Sequence, residues 1–325
     1  MERGTRQLDR IALAGEAPPA MLARLRAAAT GIDIELVPDP LAPESLAGAE
    51  AAIVWTLPPD VLAAAPRLRW VQARGAGVEH LPLAELAARD IVLTNMSGAH
   101  AANIAEHLLA MMLAFARRLP QLVRAQERRE WRDTVTHGEV FELGGQTLVL
   151  VGMGAIGSEL GQRAAALGMR VVGVRRRDDA PSPPWAERVY PVARLNDALA
   201  LADHVALSLP LTADTRGLFG AARLAALPPG AFVYNVGRGG VIDTAALLDA
   251  LKQGKLAGAG LDVTEPEPPP PDSPLWAMDN VLITAHTSGA TPRYWERASE
   301  LLIDNIRRFR AGEPLRNVVD LAAGY

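Results

Sequence analysis

Leu148-Val149-Leu150-Val151 runs directly into Gly152-Met153-Gly154-Ala155-Ile156-Gly157. An apolar strand that ends in G-x-G-x-x-G and opens a helix is a phosphate cradle. Gly152 permits the tight turn, Gly154 lets the backbone approach a pyrophosphate, and Gly157 lets the helix pack close to the sheet. The diphosphate would sit on unpaired N–H groups at the positive end of the helix dipole. The residues after the turn agree with a strand–helix–strand unit. Residues 158–167 place Leu160, Ala164 and Leu167 on one helix face, Gly168 ends that helix, and Val171-Val172-Gly173-Val174 reads as a second strand. The expected ligand is a dinucleotide, held by Gly152, Met153, Gly154, Ala155, Ile156 and Gly157.

The second strand runs into Arg175-Arg176-Arg177, and Arg175 lies 23 residues after Gly152. An acid ordinarily stands at this point and bonds the ribose 2′-OH. Guanidinium groups match a 2′-phosphate instead. NADP(H) is therefore the preferred cofactor expected, with NAD(H) possible.

The 325 residues suit two domains, each able to bury a core. A formal net charge of −4 gives no electrostatic reason to expect nucleic acid or an anionic membrane as a partner. With no cysteine there are no disulfides, thiolate nucleophiles or cysteine metal sites. Ligand spacings such as H-E-x-x-H are missing too, so no metal is expected. Residues 1–10 are charged on both signs and lack the apolar core of a signal peptide, which points to the cytoplasm. The longest apolar stretch, 99–116, is interrupted by His100, Asn103, Glu106 and His107 and reads as a buried helix, not a membrane span.

Strand-like runs at 11–14, 34–37, 51–55, 70–72 and 91–94 alternate with alanine-rich helical stretches at 18–30, 60–65 and 82–88. That alternation predicts a parallel sheet with helices on its faces, separate from the unit of the glycine loop. A long helix is expected over 99–119, with Pro120 as its stop. Beyond the glycine loop, strands are expected at 205–209, 231–236, 258–261 and 281–283, and helices at 221–227 and 244–253. A last helix at 292–310 returns the chain to the first unit, where 314–321 adds a final segment. The fold class is thus α/β with two doubly wound parallel sheets. A Rossmann cofactor domain, 99–291, is inserted in a flavodoxin-like substrate domain made of 1–98 and 292–325. Ala110, Met111, Met112, Leu113 and Phe115 make the long helix apolar on more than one face, which predicts a homodimer around it.

Arg238, Glu267 and His286 stand at or just past the ends of consecutive strand-like segments. Ligands of open α/β sheets bind beyond the carboxyl ends of the strands, and a cation, a carboxylate and an imidazole there suit acid–base chemistry. Of the other histidines, His107 lies inside the long helix, His137 in a polar loop, and His204 ahead of a strand. His80 follows a glycine loop, and His100 opens the long helix. His286 alone ends a strand.

Several segments resemble the D-isomer-specific 2-hydroxyacid dehydrogenases. They are Gly75-Ala76-Gly77-Val78-Glu79-His80, Ser208-Leu209-Pro210-Leu211-Thr212 with Thr215-Arg216-Gly217, Asn235-Val236-Gly237-Arg238-Gly239-Gly240-Val241-Ile242-Asp243, Leu261-Asp262-Val263-Thr264-Glu265-Pro266-Glu267-Pro268, and Asp279-Asn280-Val281-Leu282-Ile283-Thr284-Ala285-His286. The resemblance spans residues 75–291 in the family's order. It implies a catalytic set of Arg238, Glu267 and His286, with Glu267 preferred to its neighbour Glu265 because it falls five residues after Asp262. It further implies that Asp262 contacts the nicotinamide carboxamide. Gly75, Ala76 and Gly77 would hold the substrate carboxylate, with Arg238 and His286 also on the substrate. Leu209, Pro210, Thr215, Val236, Gly237, Arg238, His286 and Gly289 complete the implied cofactor contacts. Two positions depart from the family's usual pattern: Ala285 replaces a proline, and Arg175 replaces the ribose-binding acid. Basic residues at the latter position are a feature of NADPH-using glyoxylate/hydroxypyruvate reductases.

The implied reaction is hydride transfer between NADP(H) and a small 2-keto or 2-hydroxy acid, with glyoxylate or hydroxypyruvate as the leading substrates. Reducing a keto acid creates an alkoxide that needs a proton. A histidine oriented by a carboxylate can supply it, and an arginine can pair with a carboxylate and polarise a keto oxygen. The alternative is a non-catalytic, dinucleotide-sensing protein like the corepressors of this fold. A formate dehydrogenase is disfavoured because that branch carries glutamine at the Glu267 position. A phosphoglycerate dehydrogenase with a regulatory domain is disfavoured because the sequence ends at Tyr325.

Overall fold

The computed structural model describes residues 8–131, 140–176 and 181–325. They divide into two compact units, Met1–His100 with Thr291–Tyr325, and Ala101–Ala290.

The first unit holds β1 (Arg10–Ala14), α1 (Pro19–Ala28), β2 (Asp33–Val37), β3 (Ala51–Val54), α2 (Pro59–Ala63), β4 (Trp70–Ala73), α3 (Leu83–Ala88) and β5 (Val92–Thr94). Its strands run parallel in the order β2-β1-β3-β4-β5, the flavodoxin-like arrangement. Helices cover both faces of the inner strands, so β1 and β3 read as apolar runs, while the edge strand β2 alternates polar and apolar residues. In β1, Ile11 and Leu13 enter one core with Trp70 and Phe309, while Ala12 and Ala14 enter the other with Val54, Leu62 and Leu86. The period of two thus sorts one strand between two cores.

The second unit begins with α4 (Ala101–Ala116) and α5 (Leu119–Glu127). Here the structure corrects the expectation for Pro120. The helix breaks at Arg118, whose φ is +57°, and Pro120 lies in the first turn of a new helix. A proline suits that turn because its missing N–H has no partner to lose.

The sheet is built from β6 (Thr147–Val151), β7 (Arg170–Arg175), β8 (Arg188–Pro191), β9 (His204–Leu207), β10 (Ala231–Asn235), β11 (Leu256–Leu261) and β12 (Val281–Ile283), all parallel. Their order, β12-β11-β10-β9-β6-β7-β8, is the doubly wound Rossmann arrangement extended by one strand. The helices are α6 (Ala155–Ala166), α7 (Leu195–Leu199), α8 (Ala221–Ala226) and α9 (Thr244–Lys252). Leu108 and Met112 of α4 pack with Leu160 of α6 and Leu148 and Leu150 of β6, while Val149 and Val151 face the opposite core. A final helix, α10 (Tyr294–Ala311), belongs to the first unit, where Phe309 stacks on Trp70 with ring centroids 5.6 Å apart. No helix among the described residues is long and apolar enough to cross a membrane.

Candidate active site

The glycine turn after β6 has the three roles its spelling implies. Gly152 sits at φ +103°, and a Cβ there would come 2.9 Å from the Ser208 carbonyl. At Gly157 a Cβ would come 2.1 Å from the Gly152 carbonyl, so helix and strand approach too closely for any side chain. Above Gly154 the space is open to 4 Å. Gly154 is also the N-cap of α6 and offers no side-chain cap. The first-turn amides of a 12-residue helix therefore face that opening, and the chemistry fits a diphosphate. Met153 and Ile156 are half-buried on either side, and Ala155 begins the helix. The Leu209 side chain lies against the same turn, and the Thr215 hydroxyl donates to the Pro210 carbonyl at 2.7 Å, closing the loop after β9.

Arg175 is the last residue of β7, and Arg176 is exposed just beyond it. One guanidinium N–H of Arg175 donates to the Pro181 carbonyl at 3.4 Å. Arg177 and His137, both named from the sequence, lie outside the described residues.

Beyond the carboxyl ends of β10, β11 and β12 the catalytic candidates assemble. Nδ1 of His286 is 2.6 Å from Oε1 of Glu267, and both side chains are close to half exposed. Glu265 pairs instead with Arg216, at 3.1 Å, which separates the two neighbouring acids by geometry. Arg238 is half-buried after β10. Its loop is tied by the buried Asn235, which donates to the Arg238 carbonyl at 2.9 Å and accepts from the Gly237 amide at 3.1 Å. Val236, between them, is buried in the core. His286 adopts φ +52°, a left-handed conformation that an L residue keeps only when its surroundings over-determine it.

Asp262 provides that determination. Its carboxylate accepts from the Thr284 hydroxyl at 2.6 Å, the Thr287 amide at 3.0 Å, the Ser288 amide at 3.2 Å and the Ser288 hydroxyl. Its backbone carbonyl accepts from the His286 amide at 2.9 Å. The side chain is closed to solvent, at 0 % exposure. In this structure Asp262 holds the His286 loop. From α4, Asn103 donates to the Ser288 carbonyl at 2.7 Å, and Nε2 of His107 lies 3.0 Å from the Thr284 hydroxyl. Gly289, next in the chain, is half-buried.

In the first unit, the loop Gly75-Ala76-Gly77 follows β4. The Arg74 carbonyl accepts from the Tyr294 hydroxyl at 2.8 Å, that of Gly75 from the Met96 amide at 2.9 Å, and that of Ala76 from Asn95 at 2.8 Å. Burial pushes the Tyr294 hydroxyl up from its ordinary pKa, with Arg74 pulling the other way, so the phenol keeps the proton it donates. None of the amides of Gly75, Ala76 and Gly77 donates to a protein acceptor among the described residues. Three successive N–H groups without a protein acceptor are donors of the kind that an anion takes. Arg74, itself buried, donates to the carbonyls of Ala14 at 2.6 Å and Glu16 at 3.2 Å, and its guanidinium lies against the rings of Trp55 and Trp295. His80 bonds the Trp55 carbonyl at 2.6 Å, and the ring of His100 stacks on Tyr294.

Sequence reading gave no role to Asn235, Thr284, Ser288, Asn103 and Tyr294, took His107 as a residue of the long helix, and placed Arg74 only as part of a loop lining the substrate pocket. The available signal was position: Thr284 and Ser288 flank His286, and Arg74 abuts the glycine loop.

Fold and site together define a dinucleotide-binding α/β protein with an acid–base pair beyond its second sheet. The chain belongs to the D-isomer-specific 2-hydroxyacid dehydrogenase family, whose NAD-binding-domain model matches residues 109–288. It is 35 % identical over 263 residues to the D-3-phosphoglycerate dehydrogenase of Archaeoglobus fulgidus, covering 81 % of this chain and 49 % of that one. The chain thus spans about half the length of such relatives. With the glyoxylate reductase of Korarchaeum cryptofilum it shares 36 % identity over 267 residues, 80 % of this chain and 79 % of the relative. Among solved structures, a D-isomer-specific 2-hydroxyacid dehydrogenase from Xanthobacter autotrophicus, in complex with NADPH and MES, superposes with a TM-score of 0.83. That pair is 33 % identical, and the match covers 98 % of this chain and 100 % of the other.

Proposed function

We propose that this chain is an NADP(H)-preferring reductase of a small 2-keto acid, with glyoxylate or hydroxypyruvate as substrate. The observation that carries the proposal is the 2.6 Å bond between His286 and Glu267, on strand ends that also present Arg238. Bound NADPH supplies the hydride. His286 delivers the proton that turns the resulting alkoxide into a hydroxyl, and Glu267 holds its ring by Nδ1 so that Nε2 faces the substrate. Arg238 stabilises the negative charge developing on the keto oxygen. The free amides of Gly75, Ala76 and Gly77 receive the carboxylate.

An unphosphorylated substrate suits the neighbourhood of that loop. A hollow of about 400 Å³ in the first unit is lined by Thr56, Glu79, His80 and Glu85 among apolar residues, without lysine or arginine.

The cofactor preference rests on Arg175 at the end of β7. Each charge-assisted bond to a 2′-phosphate contributes about 1.5–3 kcal/mol, or roughly ten- to a hundredfold in affinity. The test is NADPH and NADH oxidation over a panel of 2-keto acids. Wild type should favour NADPH, and Arg175→Asp should reverse or abolish the preference. Equal kcat/KM for the two cofactors in wild type would refute it.

The reading includes a homodimer, acting in the cytoplasm. Leu113, Leu119, Val123 and Trp131, along and just beyond α4 and α5, are exposed, Trp131 at 93 %. Apolar side chains in such number on one helical pair are the surface of a subunit contact. Sedimentation at micromolar concentration should give twice the mass of one chain, and a monomer there would refute it.

A further inference from the structure

We propose that His107 is a positioning residue for His286, acting through Thr284 and Asp262 from the far side of the catalytic loop. The inference rests on the proton-donor role proposed above. Its basis is the direction of the hydrogen bonds. A threonine hydroxyl has one proton. At 2.6 Å from a carboxylate oxygen that can only accept, the Thr284 proton is spent on Asp262. The contact from His107, 3.0 Å from the same hydroxyl oxygen, must then run the other way, with Nε2–H as donor. The chain of donation therefore has one sense, from His107 to Thr284 to Asp262.

The same Asp262 carboxylate takes the amides of Thr287 and Ser288, so both flanks of His286 converge on one group. A carboxylate closed to solvent is costly unless its oxygens are fully bonded or a cation is near. Nε2 of His107 lies 3.9 Å from it. Removing His107 releases the Thr284 hydroxyl from its donor and leaves the carboxylate with fewer constraints. The strained turn at His286 then has fewer bonds to hold it in place, and the imidazole loses registration with Glu267. His107 itself sits on α4 and is held by a helix packed into the core, so it supplies a rigid reference for the loop.

The discriminating variant is His107→Phe, which keeps the ring and removes the donor. It should lower kcat for keto-acid reduction by about ten- to a hundredfold, the scale of a sub-ångström to ångström misplacement of a reacting group, and leave the Kd for NADPH unchanged. In the protein without cofactor or substrate, amide hydrogen exchange at Thr287 and Ser288 should accelerate. His107→Gln, whose Nε2 can donate from nearly the same place, should restore both readouts. Should His107→Phe fail to fold, Thr284→Val cuts the same chain at its middle and Thr284→Ser restores it, with the same two readouts. Wild-type kcat together with wild-type exchange in His107→Phe or Thr284→Val would overturn the inference. Failure of wild type itself to reduce any 2-keto acid would overturn the proposed function and leave the exchange result to decide the positioning role alone.

Discussion

The two units each hold a functional loop with one buried charge, and the charges are opposite. In the first unit the pin is Arg74, 7 % exposed, and in the second it is Asp262, 2 % exposed. Arginine is all donors, so around Arg74 carbonyl oxygens are consumed, and those of the adjoining Gly75 and Ala76 are tied by other donors. The amides of Gly75, Ala76 and Gly77 are left without a protein acceptor among the described residues. Aspartate is all acceptor, so around Asp262 it is the amides of Thr287 and Ser288 that are consumed. What that loop presents is a side chain, His286. A loop built to receive an anion keeps its N–H groups free, whereas a loop built to present an imidazole spends them. Under the proposed function, the sign of each buried charge matches the task of its loop.

Disabling each loop should therefore give different kinetics. His286→Ala removes the presented group and should lower kcat by roughly 10²–10⁴-fold, the usual weight of a general acid, with the Kd for NADPH little changed. Near-normal turnover would remove His286 from the mechanism. Arg74→Met keeps the length of the side chain but abandons the carbonyls of Ala14 and Glu16. The donor loop next to it then loses its anchor, and the KM for the keto acid should rise about tenfold or more, the value of one charge-assisted bond, with a smaller change in kcat. A mutation that raises KM alone has removed binding common to ground and transition states. If Arg74→Met instead lowers kcat at constant KM, the two loops do not divide the work as their hydrogen bonds suggest.

Much of the comparison's frame is legible in the residues, because it depends on local spacing. The apolar runs ending in glycine turns locate both sheets, and the glycine loop announces the open helix N-terminus. Arg238, Glu267 and His286 are legible as strand-end residues. The pins are not. Asp262 reads as a ligand contact because its neighbours match a family motif, yet its partners are 22 to 26 residues away and emerge only when β11 and β12 pair. Arg74 reaches back 60 residues to Ala14. His107 reads as a helix-face residue, since a helix's own period says nothing about which loop crosses it. β8, Arg188–Pro191, escapes because an edge strand with one fully buried residue carries little apolar signal. Pro120 misleads because the same residue that ends a helix also begins one.

The last expected effect concerns stability and separates the units by their response to acid. His204, at the start of β9, is buried among Phe141, Phe232 and Tyr234, with its ring nitrogens bonded to the Tyr234 hydroxyl and the Gln146 side-chain oxygen. Burial pulls its pKa from the ordinary 6.5 down to about 4, against a weaker upward pull from Asp203. The unfolded chain thus takes up a proton near pH 6.5 while the folded one refuses it until about pH 4. Stability from this group is fully present above the upper value, declines as pH falls through the window, and is constant below it; the whole step is about 3 kcal/mol. Glu187 and Glu296 lie outside that window, because hydrogen bonds from Arg170 and Arg293 hold their carboxyls below the usual range and their contributions are lost only at lower pH. The described histidines of the first unit, His80 and His100, are not fully buried. Acidification from pH 7 to pH 4.5 should therefore lower the amide protection factors, exchange rates taken relative to the intrinsic rate at each pH, in β9 and β10 well before β1 and β3. His204→Gln, which keeps a polar side chain and cannot titrate, should flatten the response of the second unit alone. An equal response of both units in wild type, or an unchanged slope in His204→Gln, would show that the buried imidazole does not set the acid limit.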